Sequence, residues 1–186
     1  MNKKNVLRII GGKFKRHKIY IKHTKNLRPT QNFIRETLFN WLKKYIQNSK
    51  CLDCFSGSGI LGIEAISRNA KFVTSLEINK NSIENIKKNK KKLKIKNMEI
   101  IHTNSLIWLK KKKFKYDIIF LDPPYNNTKL LKKSIFLLEK NNWTKKNTII
   151  YIEKKNNKKN VITPKNWIIQ KEKKTKNINY GIYLRK

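Results

Sequence analysis

Residues 118–125 read Ile-Ile-Phe-Leu-Asp-Pro-Pro-Tyr, an apolar run entering a loop of unusual chemistry. The Asp122 carboxylate and the Pro123 carbonyl are both hydrogen-bond acceptors, and proline has no N–H of its own to offer. Tyr125 adds a flat face on which a base can stack, a contact worth about 1–3 kcal/mol. Two acceptors beside an aromatic platform fit the NH2 group of a base drawn out of its stack. A structural Pro-Pro turn is the plain alternative, and a second motif upstream argues against it. Leu52-Asp53-Cys54-Phe55-Ser56-Gly57-Ser58-Gly59 reads as a strand, a Gly-rich turn and the start of a helix. Glycines there let the backbone approach a ligand closely. No Gly-Lys-Ser/Thr follows, so this is not the phosphate-binding P-loop. Glu77 ends the next apolar run, where an acid can accept from both ribose hydroxyls of a bound nucleoside. A ligand-free turn and a surface carboxylate are the plain readings of these two features.

These residues need a scaffold that brings strand ends together. From residue 50 onward, apolar runs alternate with segments of helical spacing. Strands are predicted over 51–55, 72–76, 98–102, 116–121 and 148–152. Helices are predicted over 60–68, 81–93 and 129–139, with a short one through Leu106 and Leu109. That rhythm predicts an α/β fold, a mostly parallel sheet covered by helices on both faces. Trp167 to Lys171 and Ile178 to Leu184 add two strands joined too closely for a parallel crossover, so they must pair antiparallel. Ahead of this domain, Val6 to Ile10 and Lys18 to Ile21 predict a small hairpin turning at Gly11-Gly12. Residues 33–46 predict an amphipathic helix, with Thr30 as its N-cap. The division expected is an extension over residues 1–48 and a main domain over 49–186.

Composition sharpens the choice of partner. Of 186 residues, 46 are basic and 11 acidic, a formal charge of +35. Such a chain is drawn to polyanions. Only six of the basic residues are Arg, and Asn and Ile are abundant, so much of the lysine reads as compositional drift and solvated surface. Against that background the rare residues stand out. Asp occurs at 53, 117 and 122 alone, and five of the six Gly fall in two short clusters. Cys51 and Cys54 form a C-x-x-C without a second pair, so zinc is not expected. Both sit in an apolar run, where Cys behaves as a small hydrophobe. No run is long enough to span a membrane, and residues 1–8 do not read as a signal peptide. A soluble, cytoplasmic, metal-free protein is expected.

The motifs resemble class I S-adenosylmethionine-dependent methyltransferases, whose sheet ends in such an antiparallel hairpin. More narrowly, the chain resembles the RsmD family of bacterial 16S rRNA guanine-N2 methyltransferases. Matching segments run nearly end to end: residues 8–13, 27–30, 35–42, 52–59 and 122–125. The three N-terminal segments are the specific ones, because the other two recur across many methyltransferases. The resemblance implies a Rossmann-like seven-stranded sheet and S-adenosyl-L-methionine as cofactor. It implies that Asp53 and Gly57 to Gly59, with Phe55 and Ser56 in the same turn, hold the methionine moiety. Glu77 would hold the ribose, and Asn104 with Ser105 would meet the adenine. The partner implied is 16S rRNA within a small-subunit particle, modified by a monomer.

Four of the six Arg, at 8, 16, 28 and 35, precede the Gly-rich turn. Guanidinium groups grip phosphate in a bidentate way that Lys cannot copy. Arg8, Lys13, Arg28, Thr30 and Arg35 are therefore expected to meet RNA, with an intrahelical ion pair the alternative for Arg35. Two rival functions remain. A DNA adenine-N6 or cytosine-N4 methyltransferase would use the same Asp-Pro-Pro-Tyr loop, but no segment has the size of a DNA target-recognition domain. A non-catalytic rRNA-binding assembly factor would have no reason to keep Asp53, Glu77 and Asp122 amid the drift.

Overall fold

The computed structural model describes residues 5–21, 31–111, 114–124, 127–156 and 161–186. Seven strands form one sheet: β3 (Lys50–Asp53), β4 (Phe72–Glu77), β5 (Met98–His102), β6 (Ile118–Leu121), β7 (Ile149–Lys155), β8 (Trp167–Lys174) and β9 (Ile178–Arg185). Their order is β5-β4-β3-β6-β7-β9-β8, parallel from β5 to β7, with β9 running antiparallel to both of its neighbours. All four residues of β6 are buried, as a central strand covered on both faces requires. The expected mixed sheet with its terminal hairpin is thus present.

Helices α1 (Asn32–Trp41), α2 (Ile60–Ser67) and α3 (Lys80–Lys92) share one core with the near face of the sheet, through Ile34, Leu38, Ile63, Ile66, Ile86, Cys51 and Phe120. Helices α4 (Ser105–Leu109) and α5 (Thr128–Lys140) cover the far face through Leu109, Leu131, Leu138, Leu52 and Ile119. Asn residues start three of these helices. The side-chain oxygens of Asn79, Asn104 and Asn127 accept from backbone N–H groups of the first turn, the role for which short polar side chains are selected. In α3 the buried residues Ser82, Ile83, Ile86 and Asn89 keep helical spacing, while Lys90 to Lys92 fall in the last turn, where the helix dipole favours cations.

The N-terminal segment departs from expectation in two ways. Strands β1 (Asn5–Arg8) and β2 (Lys18–Ile21) do pair antiparallel. Gly11-Gly12, however, is no two-residue turn. It lies in a longer connection that docks on the end of α2, where the Ser67 hydroxyl donates to the Gly11 carbonyl at 2.5 Å and the Ser67 carbonyl accepts from Lys13 N–H at 2.8 Å. Gly12 has φ +77, and a Cβ there would lie 1.8 Å from the Ser67 oxygen, so the close approach itself demands glycine. Helix α1 is also shorter than its apolar pattern, ending at Trp41 and starting from Gln31 as N-cap. Thr30, expected there, lies outside the described residues.

The C-terminal hairpin is tied to α5 by Glu139. Its carboxylate accepts from Thr144 Oγ1 at 2.8 Å, Asn166 Nδ2 at 2.8 Å, Trp167 Nε1 at 3.0 Å and Arg185 Nη2 at 2.9 Å. Partial burial alone would push this carboxyl up, but those four donors, led by Arg185, bring it down to about 2. A carboxylate depressed below its unfolded value of about 4.3 stabilises the fold above that pH and loses the effect as pH falls towards 2. Glu139→Gln is therefore expected to lower stability by about 1–3 kcal/mol at pH 7. In urea titrations the gap to wild type should narrow between pH 5 and pH 3; a gap independent of pH would remove the ionised Glu139 from the account of the hairpin.

Candidate functional site

In a parallel sheet, ligands bind in the crevice outside the carboxyl ends of the strands, where the strand order reverses. Here the reversal falls between β3, which continues to β4, and β6, which continues to β7. The register sets the heights. Asp53 lies opposite Ser75 on one side and Phe120 on the other, so Glu77 and Asp122 each stand two residues further towards the rim, and His102 is level with Glu77. The expected residues Asp53, Glu77 and Asp122 therefore meet at one edge of the sheet.

The Gly-rich turn is built by backbone bonds. Ser56 N–H donates to the Leu76 carbonyl at 3.0 Å, and Gly59 N–H to the Ser56 carbonyl at 2.6 Å. Gly57 and Gly59 have φ of +51 and +75, the left-handed region that lets the chain reverse into α2. The Ser56 hydroxyl donates to the Asp53 carbonyl at 3.3 Å, and Phe55 is half-buried. Glu77 closes the turn from the next strand: its Oε2 accepts from Gly57 N–H at 2.7 Å, while Oε1 accepts from Ile78 and Asn79 N–H at 2.9 and 2.8 Å. Oε1 has thus accepted twice, while Oε2 keeps a lone pair for a hydroxyl donor.

Asp53 is the anomaly of the site. It is 1% exposed, and neither carboxylate oxygen has a hydrogen-bond partner among the described residues. Burial pushes its carboxyl up to about 7; the Phe55 N–H pulls against this from outside hydrogen-bond geometry, and the negative Glu77 adds to the rise. Buried carboxylates are ordinarily paired. One left without a partner at a strand end is suited to a ligand that brings a cation or N–H donors.

Around this centre the remaining expected residues take different parts. Asn104 is exposed on the rim and spends its side-chain oxygen on capping α4, accepting from Leu106 and Ile107 N–H at 2.9 and 3.4 Å. Ser105 is buried, and its hydroxyl donates to the Cys54 carbonyl, joining α4 to the turn after β3. Pro123 is buried and Asp122 half-buried, while Pro124 is exposed and its carbonyl accepts from Asn127 N–H at 3.0 Å. Tyr125, Arg28 and Thr30 lie outside the described residues. Ile78 was not foreseen. It follows Glu77 directly and leaves 62% of its surface exposed at the rim, an apolar flank to the crevice. Its only sequence signal is an isoleucine just past a strand-ending acid. Glu153, also unforeseen, is buried at the same edge on β7. Cys51 and Cys54 are free and buried; burial drives both thiols up, Cys51 to about 12, which fits packing and not redox chemistry. No cluster able to hold a metal occurs among the described residues. No helix among them is long and apolar enough to cross a membrane.

The basic N-terminal residues divide. Arg8 and Lys13 are exposed, with the Lys13 ammonium 5.0 Å from the centre of the Phe14 ring. Arg35, expected at RNA, is 0% exposed and cannot touch a partner in this structure. Its guanidinium bonds Glu64 Oε1 at 2.9 Å, Asn32 Oδ1 at 2.5 Å and the Arg8 carbonyl at 3.2 Å. Glu64, on α2, also accepts from Ile10 N–H at 2.6 Å and has Arg68 within 3.6 Å. Burial pushes the Glu64 carboxyl up against the pull of these partners. Arg35 therefore anchors the N-terminal strand to the helix that begins at the Gly-rich turn.

Strand order, hairpin and crevice together place the chain among class I methyltransferases, whose Rossmann-like sheet it shares. A family model described as conserved hypothetical protein 95 matches residues 7–184. A relative from Buchnera aphidicola subsp. Acyrthosiphon pisum, named ribosomal RNA small subunit methyltransferase D, is 56% identical over 98% of this chain and 95% of its own. The Escherichia coli K12 protein of the same name is 38% identical over 96% of this chain and 90% of its own. An Escherichia coli structure described as a methyltransferase superposes with TM-score 0.92 at 36% identity, over 98% of this chain and 99% of that one. A Haemophilus influenzae methylase gives 0.83 at 42% identity, over 97% and 99%. The chain belongs to the RsmD family.

Two outcomes are expected from this geometry. Asp53, with a folded pKa near 7 against about 3.9 unfolded, costs stability progressively as pH rises through that interval. Asp53→Asn should raise the stability of the ligand-free protein by about 1–3 kcal/mol at pH 8 and leave it unchanged near pH 4. A variant less stable than wild type at pH 8 would mean that the carboxylate is satisfied after all. Arg35→Ala strips a buried charge of its partner and should cost about 3–5 kcal/mol. The double variant Arg35→Met/Glu64→Gln should recover most of this in urea unfolding; equal losses in the two would show that the pair is not the anchor.

Proposed function

We propose that this chain methylates the exocyclic N2 amine of a guanine in 16S rRNA, using S-adenosyl-L-methionine and acting as a monomer on a small-subunit particle in the cytoplasm. The observation that carries the reading is the buried, unpartnered Asp53 at the end of β3, one strand away from the Asp122 loop. The cofactor carries an ammonium, a sulfonium and a ribose diol, a donor set that fits this edge. Asp53 accepts from the amino-acid end, Gly57 to Gly59 permit close backbone approach, and Glu77 accepts from the ribose hydroxyls. Ile78 flanks the adenine, with Asn104 and Ser105 framing the adenine end of the crevice. Membership of the RsmD family, and the names its relatives carry, support small-subunit rRNA as the substrate.

The bound cofactor supplies a strongly electrophilic methyl. This chain's residues prepare the nucleophile. An aromatic amine attacks poorly because its lone pair is delocalised into the ring. Hydrogen bonds from the NH2 to the Asp122 carboxylate and the Pro123 carbonyl draw the nitrogen towards sp3 geometry and aim the lone pair. The two prolines fix the loop, and Tyr125 stacks on the extruded base. The gain is orientation and preorganised electrostatics. The methylated ammonium then loses its proton to water, so no strong general base is required.

Residues 1–48 serve as the RNA-positioning extension and residues 49–186 as the transferase domain. Exposed Arg8 and Lys13, with Arg28 and Thr30, face the RNA, and Arg35 holds the strand that carries Arg8. Phosphate contacts of this kind make binding fall steeply with salt.

The test is to incubate small-subunit particles lacking the modification with protein and labelled cofactor, then map the product by mass spectrometry. A single N2-methylguanine in 16S rRNA is expected from wild type, with loss of at least a hundredfold in turnover for Asp122→Ala at unchanged cofactor affinity. Methylation of adenine or cytosine, or of DNA in preference to RNA, would overturn the assignment.

A further inference from the structure

Eight lysines and one glutamate fall between residues 80 and 96. Compositional drift explains lysine on a surface, but not the place where the fold gathers these. Lys87, Lys90, Lys91, Lys94 and Lys96 line an open groove of about 1000 Å³ between α3 and the edge strand β5. Its floor is apolar, with Ile95 and Met98 buried beneath the lysines. Glu99 is the one acid in the lining among the described residues. None of the five lysines has an ion-pair partner among the described residues.

Lys87, Lys90 and Lys91 recur at helical spacing, and Lys94 follows directly after the C-cap Leu93. At a rise of about 1.5 Å per residue the stripe is roughly 10 Å long, the length over which a stacked nucleic-acid strand presents about three phosphates. Lysine stems over an apolar floor and lysines beside an edge strand both have a plain reading, as solvated cover against strand addition. Lys94 departs from it. Its φ is +52, the left-handed region that Gly and Asn tolerate and Lys rarely adopts. Asn fills four of the six such non-glycine positions among the described residues, and the chain is rich in Asn. Drift towards Asn would relieve the strain here, yet a lysine stands in its place. On its other side α3 meets the N-terminal hairpin. Asn89 exchanges hydrogen bonds with the Tyr20 backbone, and the Lys92 ammonium lies 4.4 Å from the centre of the Tyr20 ring. Basic surface therefore continues from β2 across α3 to β5. Along β5 the groove leads towards His102, the residue level with Glu77 at the rim of the crevice.

We infer that this groove holds the sugar-phosphate backbone of the rRNA flanking the target nucleotide, a docking surface separate from the loop that receives the base. The inference rests on the proposed rRNA substrate. A row of evenly spaced anions meets these cations without calling for any base sequence, and its condensed counterions are released as the lysines replace them. Such contacts set position and affinity and leave the chemical step untouched.

The triple variant K87Q/K91Q/K94N removes three charges from the groove. K132Q/K133Q/K140Q removes three from exposed positions of α5, on the other face of the sheet. Affinity for small-subunit particles is read by filter binding across salt concentrations for wild type and both variants. The same preparations give kcat, cofactor affinity and melting temperature. At about 0.1 M salt the groove variant should bind the particle about tenfold or more weakly. The slope of log affinity against log salt should flatten by about two to three, roughly one per lysine. Its kcat and cofactor affinity should stay within about twofold of wild type. Its melting temperature should be equal or higher, because like charges at i, i+4 are removed and Asn suits the left-handed position. The α5 variant should bind within about twofold of wild type with an unchanged slope. Equal losses in the two variants overturn the inference, since net charge alone would then explain them; so does a groove variant with the wild-type slope. Formaldehyde cross-linking of the wild-type complex should join rRNA to peptides from residues 80–100. A particle protein joined there in place of rRNA would overturn the choice of partner. Wild type that binds particles through the groove but transfers no methyl would sink the functional reading and leave this inference standing.

Discussion

A carboxylate taken out of water without a partner is the constraint around which this molecule is arranged. Asp53 is buried at the end of the central strand, and its carboxyl sits near 7 because burial, with the negative Glu77 beside it, outweighs the pull of the Phe55 and Gly62 backbone and the Ser56 side chain. The fold tolerates this only at a place where a ligand completes the set. Everything near Asp53 serves that place. Glu77 reaches across from β4 to hold the Gly57 N–H, Ser105 braces the Cys54 carbonyl, and the positive φ of Gly57 and Gly59 turns the chain into α2. The backbone N–H groups of Ser56, Gly57 and Gly59 are all hydrogen-bonded within the turn, while the Asp53 carboxylate keeps its acceptors for a ligand.

The second organising element is the buried pair Arg35–Glu64. Glu64 sits one turn into the helix that starts at the Gly-rich turn, and Arg35 holds the carbonyl of Arg8. One ion pair thus fixes the exposed, basic N-terminal hairpin relative to the crevice. The Gly12–Ser67 contact makes a second tie to the same helix, and Asn89 of α3 makes a third by exchanging hydrogen bonds with both backbone groups of Tyr20 on β2. Such rigid attachment suits an enzyme whose target is a large RNA surface, because a loosely hung arm would spend binding energy on its own ordering.

Much of this was legible in the sequence. Buried strands read as short apolar runs, and the spacing of Leu131, Ile135 and Leu138 gave α5. Lysine drift makes the Asp and Gly clusters conspicuous, so the crevice is marked in the sequence itself. What could not be read was tertiary. Arg35 belongs to a helix with charged neighbours, and no periodicity reveals that its partner lies on α2. Gly11-Gly12 has the signature of a tight hairpin turn, but its purpose is close approach to Ser67, a contact far along the chain. Helix α1 stops at Trp41 although apolar spacing continues through Leu42, Tyr45 and Ile46, because those residues pack from a turn. Glu153 is hidden for the opposite reason: at the end of Thr-Ile-Ile-Tyr-Ile-Glu it looks like the first solvated residue after a strand, whereas β7 runs on past it beside β9.

Asp53, its carboxyl pushed up to about 7 by burial, is expected to be mostly protonated at pH 6 in the ligand-free protein and ionised once a cationic cofactor is bound. Isothermal calorimetry of S-adenosylmethionine binding at pH 6, repeated in buffers of different ionisation enthalpy, measures the protons released. Nearly one proton per bound cofactor is expected, because a carboxyl near 7 is mostly protonated at pH 6 and must give up its proton to meet the cation. The same titration on Asp53→Asn should release none. Binding at pH 6 with no proton release by wild type, or with equal affinity in the variant, would contradict the claim.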